Sequence, residues 1–75
     1  MKVEVAVAFL AALETQRPCP VRVAALLVET SERQARRALE GLAATGLARA
    51  DGRRGYVLTA GGRAGLASWR ERGGR

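Results

Sequence analysis

The sequence predicts a small, mainly helical α+β domain in which a three-helix core precedes a two-stranded β-hairpin and a C-terminal helix. Three observations predict it. Apolar residues recur with a helical period between Ser31 and Leu47, two prolines break the chain between earlier apolar runs, and two short strand-like runs flank Asp51–Gly55. A chain of 75 residues fits one domain of this kind.

The segment Ser31–Leu47 gives the clearest helix signal. Ser31 is a good N-cap, and Gln34 follows at the spacing of a capping box, in which each side chain satisfies a backbone donor. Gly46 suits the left-handed position that ends a helix. The predicted helix therefore spans 32–45. Its apolar residues share one face at positions i, i+3, i+4, i+7 and i+8, namely Ala35, Ala38, Leu39, Leu42 and Ala43.

The other elements follow from apolar runs and from the residues that interrupt them. Thr15–Pro20 contains two prolines and is predicted as a loop, and the Asp51–Gly52 pair indicates a hairpin turn. Thr59 is placed to cap a last helix that carries Ala64, Leu66 and Trp69. The remaining predicted elements are a helix at 3–14, a helix at 21–28, a hairpin at 47–59 and a helix at 60–72.

The charge of the chain points to an anionic partner. Thirteen basic residues, twelve of them arginine, against seven acidic ones give a net charge of +6. Within the predicted helix 32–45, Arg33, Arg36 and Arg37 point away from the apolar face together with Glu40. A solvated helix face with ion pairs to Glu40 is the simpler alternative.

Several function classes lack the residues they need. With no histidine, no paired carboxylates and no phosphate-binding glycine loop, we expect no enzyme activity, no metal site and no cofactor. The single cysteine, Cys19, is expected to be a small buried residue. No apolar run is long enough for a membrane span, so we expect a cytoplasmic protein, nucleoid-associated if its anionic partner is nucleic acid. No set of pocket-lining polar residues is visible, so we expect no small-molecule ligand.

The order of elements, together with three motifs, resembles the winged helix-turn-helix domains of bacterial and archaeal transcriptional regulators. SERQARRALEGLAATGL is similar to the recognition helix and following strand of the DeoR-like and MarR-like groups. Asp51–Gly55 resembles their wing, and Leu58-Thr59 with Gly62-Arg63 resembles their strand exit. Glu29 stands where these groups usually have glycine, and Ala60 stands where they usually have proline.

The resemblance implies sequence-specific binding of double-stranded DNA by a small regulator. The helix from Ser31 would enter the major groove, and the arginine-tipped wing would contact the minor groove or the backbone. Arginine pairs naturally with guanine and glutamine with adenine. The implied DNA-binding residues are Ser31, Arg33, Gln34, Arg36 and Arg37 on the helix, Arg53 and Arg54 on the wing, and Arg49 and Arg63 beside them.

Four further interpretations of the sequence remain open. The first helix is apolar on all sides from Val5 to Leu13, so it could pair in a homodimer with the Leu66 and Trp69 helix, or bind another protein in an adaptor. RNA is an alternative nucleic acid. Tyr56 and Trp69 could stack on bases, although core packing is the expectation for both.

Overall fold

A computed structural model gives the structure of residues 1–73 and confirms the mainly helical class with a two-stranded antiparallel sheet. The helix at 21–28 has the predicted ends, and the other helices end within one residue of the prediction. The elements are α1 Val3–Thr15, α2 Val21–Val28, α3 Glu32–Ala44, β1 Ala48–Ala50, β2 Tyr56–Leu58 and α4 Ala60–Glu71. In these 73 residues, no helix has the length and apolar character that crossing a membrane requires.

The core lies where α1, α3 and α4 meet the hairpin. Phe9, Leu13, Leu39 and Leu66 are almost fully buried there. The predicted apolar face of α3 points into this core, with Ala35, Leu39 and Leu42 buried and Ala38 and Ala43 half-buried. No charged or polar residue of the described chain is buried, so burial of apolar surface is what holds the elements together.

Helix α3 begins and ends much as its sequence indicates. The Ser31 hydroxyl accepts from the Gln34 backbone N–H at 3.1 Å, which is the N-cap bond. The reciprocal half of the predicted capping box does not form, because the Gln34 side-chain oxygen accepts from the Thr30 hydroxyl instead. At the other end Gly46 has φ +82°, and Leu47 donates to the Leu42 carbonyl at 2.9 Å, as in a Schellman motif.

The turn between α2 and α3 uses the same kind of helix end without a glycine. Glu29 has φ 63° and ψ 53°, which is the left-handed conformation. The Glu29 N–H donates to Leu26 at 3.3 Å, and the Thr30 N–H donates to Ala25 at 2.9 Å. These bonds stop α2 at Val28 and allow α3 to begin after Ser31.

The segment predicted as a plain loop before α2 also joins the sheet. Cys19 forms an isolated antiparallel bridge with Tyr56, with N–H···O distances of 2.8 and 2.9 Å. Gly55 permits this approach, because a Cβ at that position would collide with the Cys19 carbonyl oxygen. The start of α2 is thereby fixed to β2.

Helix α4 differs in part from the prediction. Thr59 caps it as expected, accepting from the Gly62 N–H at 3.0 Å, and also donates to the Gly46 carbonyl at 2.6 Å. Leu66 is buried, but Ala64 is exposed and Trp69 is only half-buried and lies outside the core cluster. The expectation that Trp69 packs in the core is therefore wrong, because only one narrow side of α4 faces it.

Candidate nucleic-acid interface

The exposed face of α3 carries three arginines, which point in different directions around the helix axis. At about 100° per residue, Arg33 lies opposite the buried stripe. Arg36 lies toward the hairpin side of this face, whereas Arg37 and Gln34 lie toward the side of α1. All four side chains are exposed, as the sequence predicts.

An open cleft of about 420 Å³ separates α3 from the hairpin and the start of α2. Three arginines from three different elements line it: Arg22 of α2, Arg36 of α3 and Arg53 of the hairpin. Glu32 is the one acidic residue in the lining. A cleft lined by three arginines and one glutamate has a net positive charge and attracts anions.

The backbone explains why these arginines converge. The bridge between Cys19 and Tyr56 holds the first turn of α2 against β2, and Arg22 lies in that turn. Arg53 is in the turn that joins the strands, where Gly52 has φ +55° and the Arg54 N–H donates to the Asp51 carbonyl at 3.0 Å. Positive φ at the first central position suits tight hairpin turns.

The arginines of the cleft form no salt bridge within the described chain. The salt bridge found within residues 1–73 joins Arg70 of α4 to Glu14 of α1, at 2.9 Å. Neither Arg36 nor Arg37 pairs with Glu40, so the intrahelical pairs of the simpler interpretation are not formed. The guanidinium groups are therefore available to an external anion.

The other predicted DNA-binding residues lie in different places. Arg54 is exposed beside Arg53 at the hairpin turn, and Ser31 is exposed at the start of α3. Arg49 points away from the cleft, because side chains alternate along a strand and its neighbour Ala50 lines the cleft. The structure therefore groups Arg36 and Arg53 but not Arg49.

Arg63 lies near Glu14 and Arg70 and not in the lining of the cleft. The hydrogen bond from Arg70 holds the pKa of Glu14 below its ordinary value, and the charges of Arg70 and Arg63 act in the same direction. Arg63 thus lies near the end of α1 rather than at the cleft. Its predicted contact with nucleic acid has no support from a shared site.

Arg22 is a residue that the sequence analysis missed. Its position directly after a proline-initiated helix start was a signal, because side chains in the first turn of a helix lie beside its free amide groups. The sequence did not show that this turn would lie against the hairpin. That placement depends on the long-range pairing of Cys19 with Tyr56.

Cys19 is completely buried, in agreement with the expectation of a small core residue. Burial raises the pKa of its thiol, which disfavours the reactive thiolate. Residues 1–73 contain no group of three or more acidic, cysteine or histidine side chains arranged to hold a metal ion.

Comparison of the chain with protein-family models, with curated proteins and with solved structures finds no match.

Proposed function

We propose that this protein is a winged helix-turn-helix domain that binds double-stranded DNA and serves as a small transcriptional regulator. The observation that carries the proposal is the cleft in which Arg22, Arg36 and Arg53 converge without an internal salt bridge. Arginines from separate elements that share one concave surface can neutralise phosphates that lie apart along a nucleic-acid backbone. A solvated helix face alone does not require such convergence.

In this proposal α3 is the recognition helix and the hairpin is the wing. Arg33, Arg37 and Gln34 lie on the side of α3 that would face base edges in the major groove. Arg36, Arg53 and Arg22 would hold the backbone, and Arg54 at the hairpin turn would reach the next groove. The opposite side of α3 is buried in the core, so the exposed side is the one that DNA could reach.

Duplex titration at several salt concentrations tests the proposal. Using fluorescence anisotropy with a labelled duplex, we expect micromolar or tighter binding at low salt and a steep linear fall of log affinity with log salt. Arg22→Gln should weaken binding and reduce the salt slope by about one, because one phosphate contact is lost. Arg33→Ala should instead reduce the difference in affinity between preferred and random duplexes.

Arg72→Gln is the matched control, since it removes one positive charge at the end of α4, away from the cleft. It should change affinity far less than Arg22→Gln does. Equal effects of the two variants would mean that net charge alone drives binding, and binding that does not depend on salt would contradict the proposal. Competition with duplex RNA and single-stranded RNA distinguishes an RNA-binding protein from a DNA-binding one.

A protein-binding adaptor is the second candidate, and exposed leucines favour it. Leu26 is 73% exposed and Leu27 is 49% exposed on α2, while Val3 and Val5 are exposed at the start of α1. A homodimer through the first and last helices would use Val3 and Val5 of α1 and not Leu66, which is buried in its own core. Light scattering at about tens of micromolar protein tests self-association.

A further inference from the structure

A second groove, of about 500 Å³, lies on the opposite side of α3 from the arginine-lined cleft. It is bounded by the start of α1, the end of α2 and α3. Its apolar wall consists of Met1, Val5, Phe9, Val28 and Ala38. The size falls within the range of about 300–1,000 Å³ that small-molecule sites occupy.

Arg37 and the Gln34 amide supply the hydrogen-bond donors of this groove, whereas the single Thr30 hydroxyl proton is already donated to Gln34. Arg37 is the one charged side chain in the lining, and Thr30 and Gln34 lie with it. The Thr30 hydroxyl donates to the Gln34 side-chain oxygen, which orients the Gln34 amide group and leaves its two N–H donors without an acceptor in the described chain. An apolar wall beside an arginine and a free amide donor is complementary to an apolar molecule with one anionic end.

Against the expectation from sequence of no small-molecule ligand, we propose that this groove binds a small amphipathic anion, a medium-length hydrocarbon chain that ends in a carboxylate. The chain lies along Met1, Val5 and Val28, and the carboxylate accepts from Arg37 and Gln34. A peptide or a lipid surface would have to present the same apolar segment and the same anionic group as part of a much larger molecule. The small acid fits better, because the groove holds about 500 Å³ and its lining side chains include a single cation, Arg37.

Binding of the anion also opposes DNA binding, and this consequence rests on the proposed function. Arg37 and Gln34 belong to the face of α3 that would contact base edges. A carboxylate that occupies their donors removes them from DNA, and the two ligands then weaken each other by the same factor.

The first test measures octanoate binding to the whole protein without DNA, by calorimetry and by NMR shifts of the groove residues. We expect saturable, sub-millimolar binding at one site. Octan-1-ol and octylammonium should bind at least tenfold more weakly, and acetate should not bind measurably, because each lacks one half of the recognition. Equal binding of octanoate and octylammonium would overturn the proposal.

Variants of α3 then locate the carboxylate. Arg37→Gln should weaken octanoate at least tenfold and leave octan-1-ol unchanged. Arg33→Gln removes the same charge from the same exposed face but outside the groove, and should change octanoate binding less than twofold. Equal losses in the two variants would show only general attraction to a basic protein, and would overturn the proposed site.

A final measurement separates this inference from the proposed function. Saturating octanoate should weaken duplex binding of the wild type at least tenfold and have little effect on Arg37→Gln. Octanoate binding with no duplex binding under any condition would contradict the proposed function and leave the groove established. Duplex binding that octanoate does not alter would contradict the competition.

Discussion

Glu29 holds a backbone conformation that suits glycine better than any residue with a side chain. Its φ of 63° places it in the left-handed region, and the hydrogen bonds from Glu29 and Thr30 require it to stay there. For residues with a Cβ this conformation costs about 1–2 kcal/mol. The same helix end after α3 is formed by Gly46 at no such cost.

Replacing Glu29 with glycine should therefore stabilise the protein. We expect Glu29→Gly to raise the free energy of unfolding by about 1 kcal/mol, which corresponds to about 4–8 °C in Tm for a domain of this size. Urea and thermal unfolding followed by circular dichroism measure the change. Glu29→Ala is the control, because it removes the same carboxylate without the freedom of glycine. An equal gain in Glu29→Ala would mean that charge, not backbone strain, was relieved.

At the scale of elements, the hairpin is connected to α2 by backbone rather than by side chains. The paired N–H and C=O groups of Cys19 and Tyr56 connect the start of α2 to β2. Gly55 makes the approach feasible, both through its φ of +124° and through its missing side chain. The position of Arg22 relative to Arg53 depends on this connection.

Substitution of Gly55 should accordingly damage both the fold and the interface. We expect Gly55→Ala to lower the free energy of unfolding by about 2–4 kcal/mol, from backbone strain and a collision with the Cys19 carbonyl. Gly52→Ala should cost only about 1 kcal/mol, since Gly52 also has positive φ but has open space around it. Urea unfolding of both variants measures the difference. Equal costs would contradict the role given to the close approach.

The elements that could be predicted from sequence are those whose signals are local. Helix α3 is predicted well because its N-cap Ser31, its apolar stripe and its terminal Gly46 all lie within one segment. The bridge of Cys19 to Tyr56 could not be predicted, because it joins residues far apart in the chain through backbone groups that every residue except proline has. The prediction that Trp69 packs in the core was wrong for a related reason. The helical period alone does not say how wide the buried side of α4 is.

At the scale of the whole molecule, some features of the candidate site follow from local sequence signals and others only from tertiary packing. The exposure of Arg33, Arg36 and Arg37 follows from the period of α3 and was predictable. The convergence of Arg36 with Arg53 depends on tertiary packing, and so does the position of Arg49 on the other side of the sheet. Sequence predicts which residues face outward, whereas the fold decides which of them share a surface.

The net charge of +6 also makes the interface a source of repulsion in the free protein. Arg36 and Arg53 face one cleft with Arg22, and no salt bridge within residues 1–73 offsets them. Relieving this repulsion should stabilise the fold while it removes the groups that would hold DNA. Stability and binding are then expected to change in opposite directions when these arginines are replaced.

The double variant Arg36→Gln/Arg53→Gln tests this opposition. At low salt we expect its free energy of unfolding to exceed that of the wild type by about 0.5 kcal/mol, because two like charges that line one cleft are replaced by neutral groups. Duplex affinity should fall, and its salt slope should drop by about two. Salt at about 0.5 M should remove the stability difference by screening. Arg72→Gln, the control, should change both the free energy of unfolding and the duplex affinity less than the double variant does. A double variant less stable than the wild type at low salt would mean that these arginines stabilise the fold. It would contradict the expectation that their mutual repulsion lowers the free energy of unfolding.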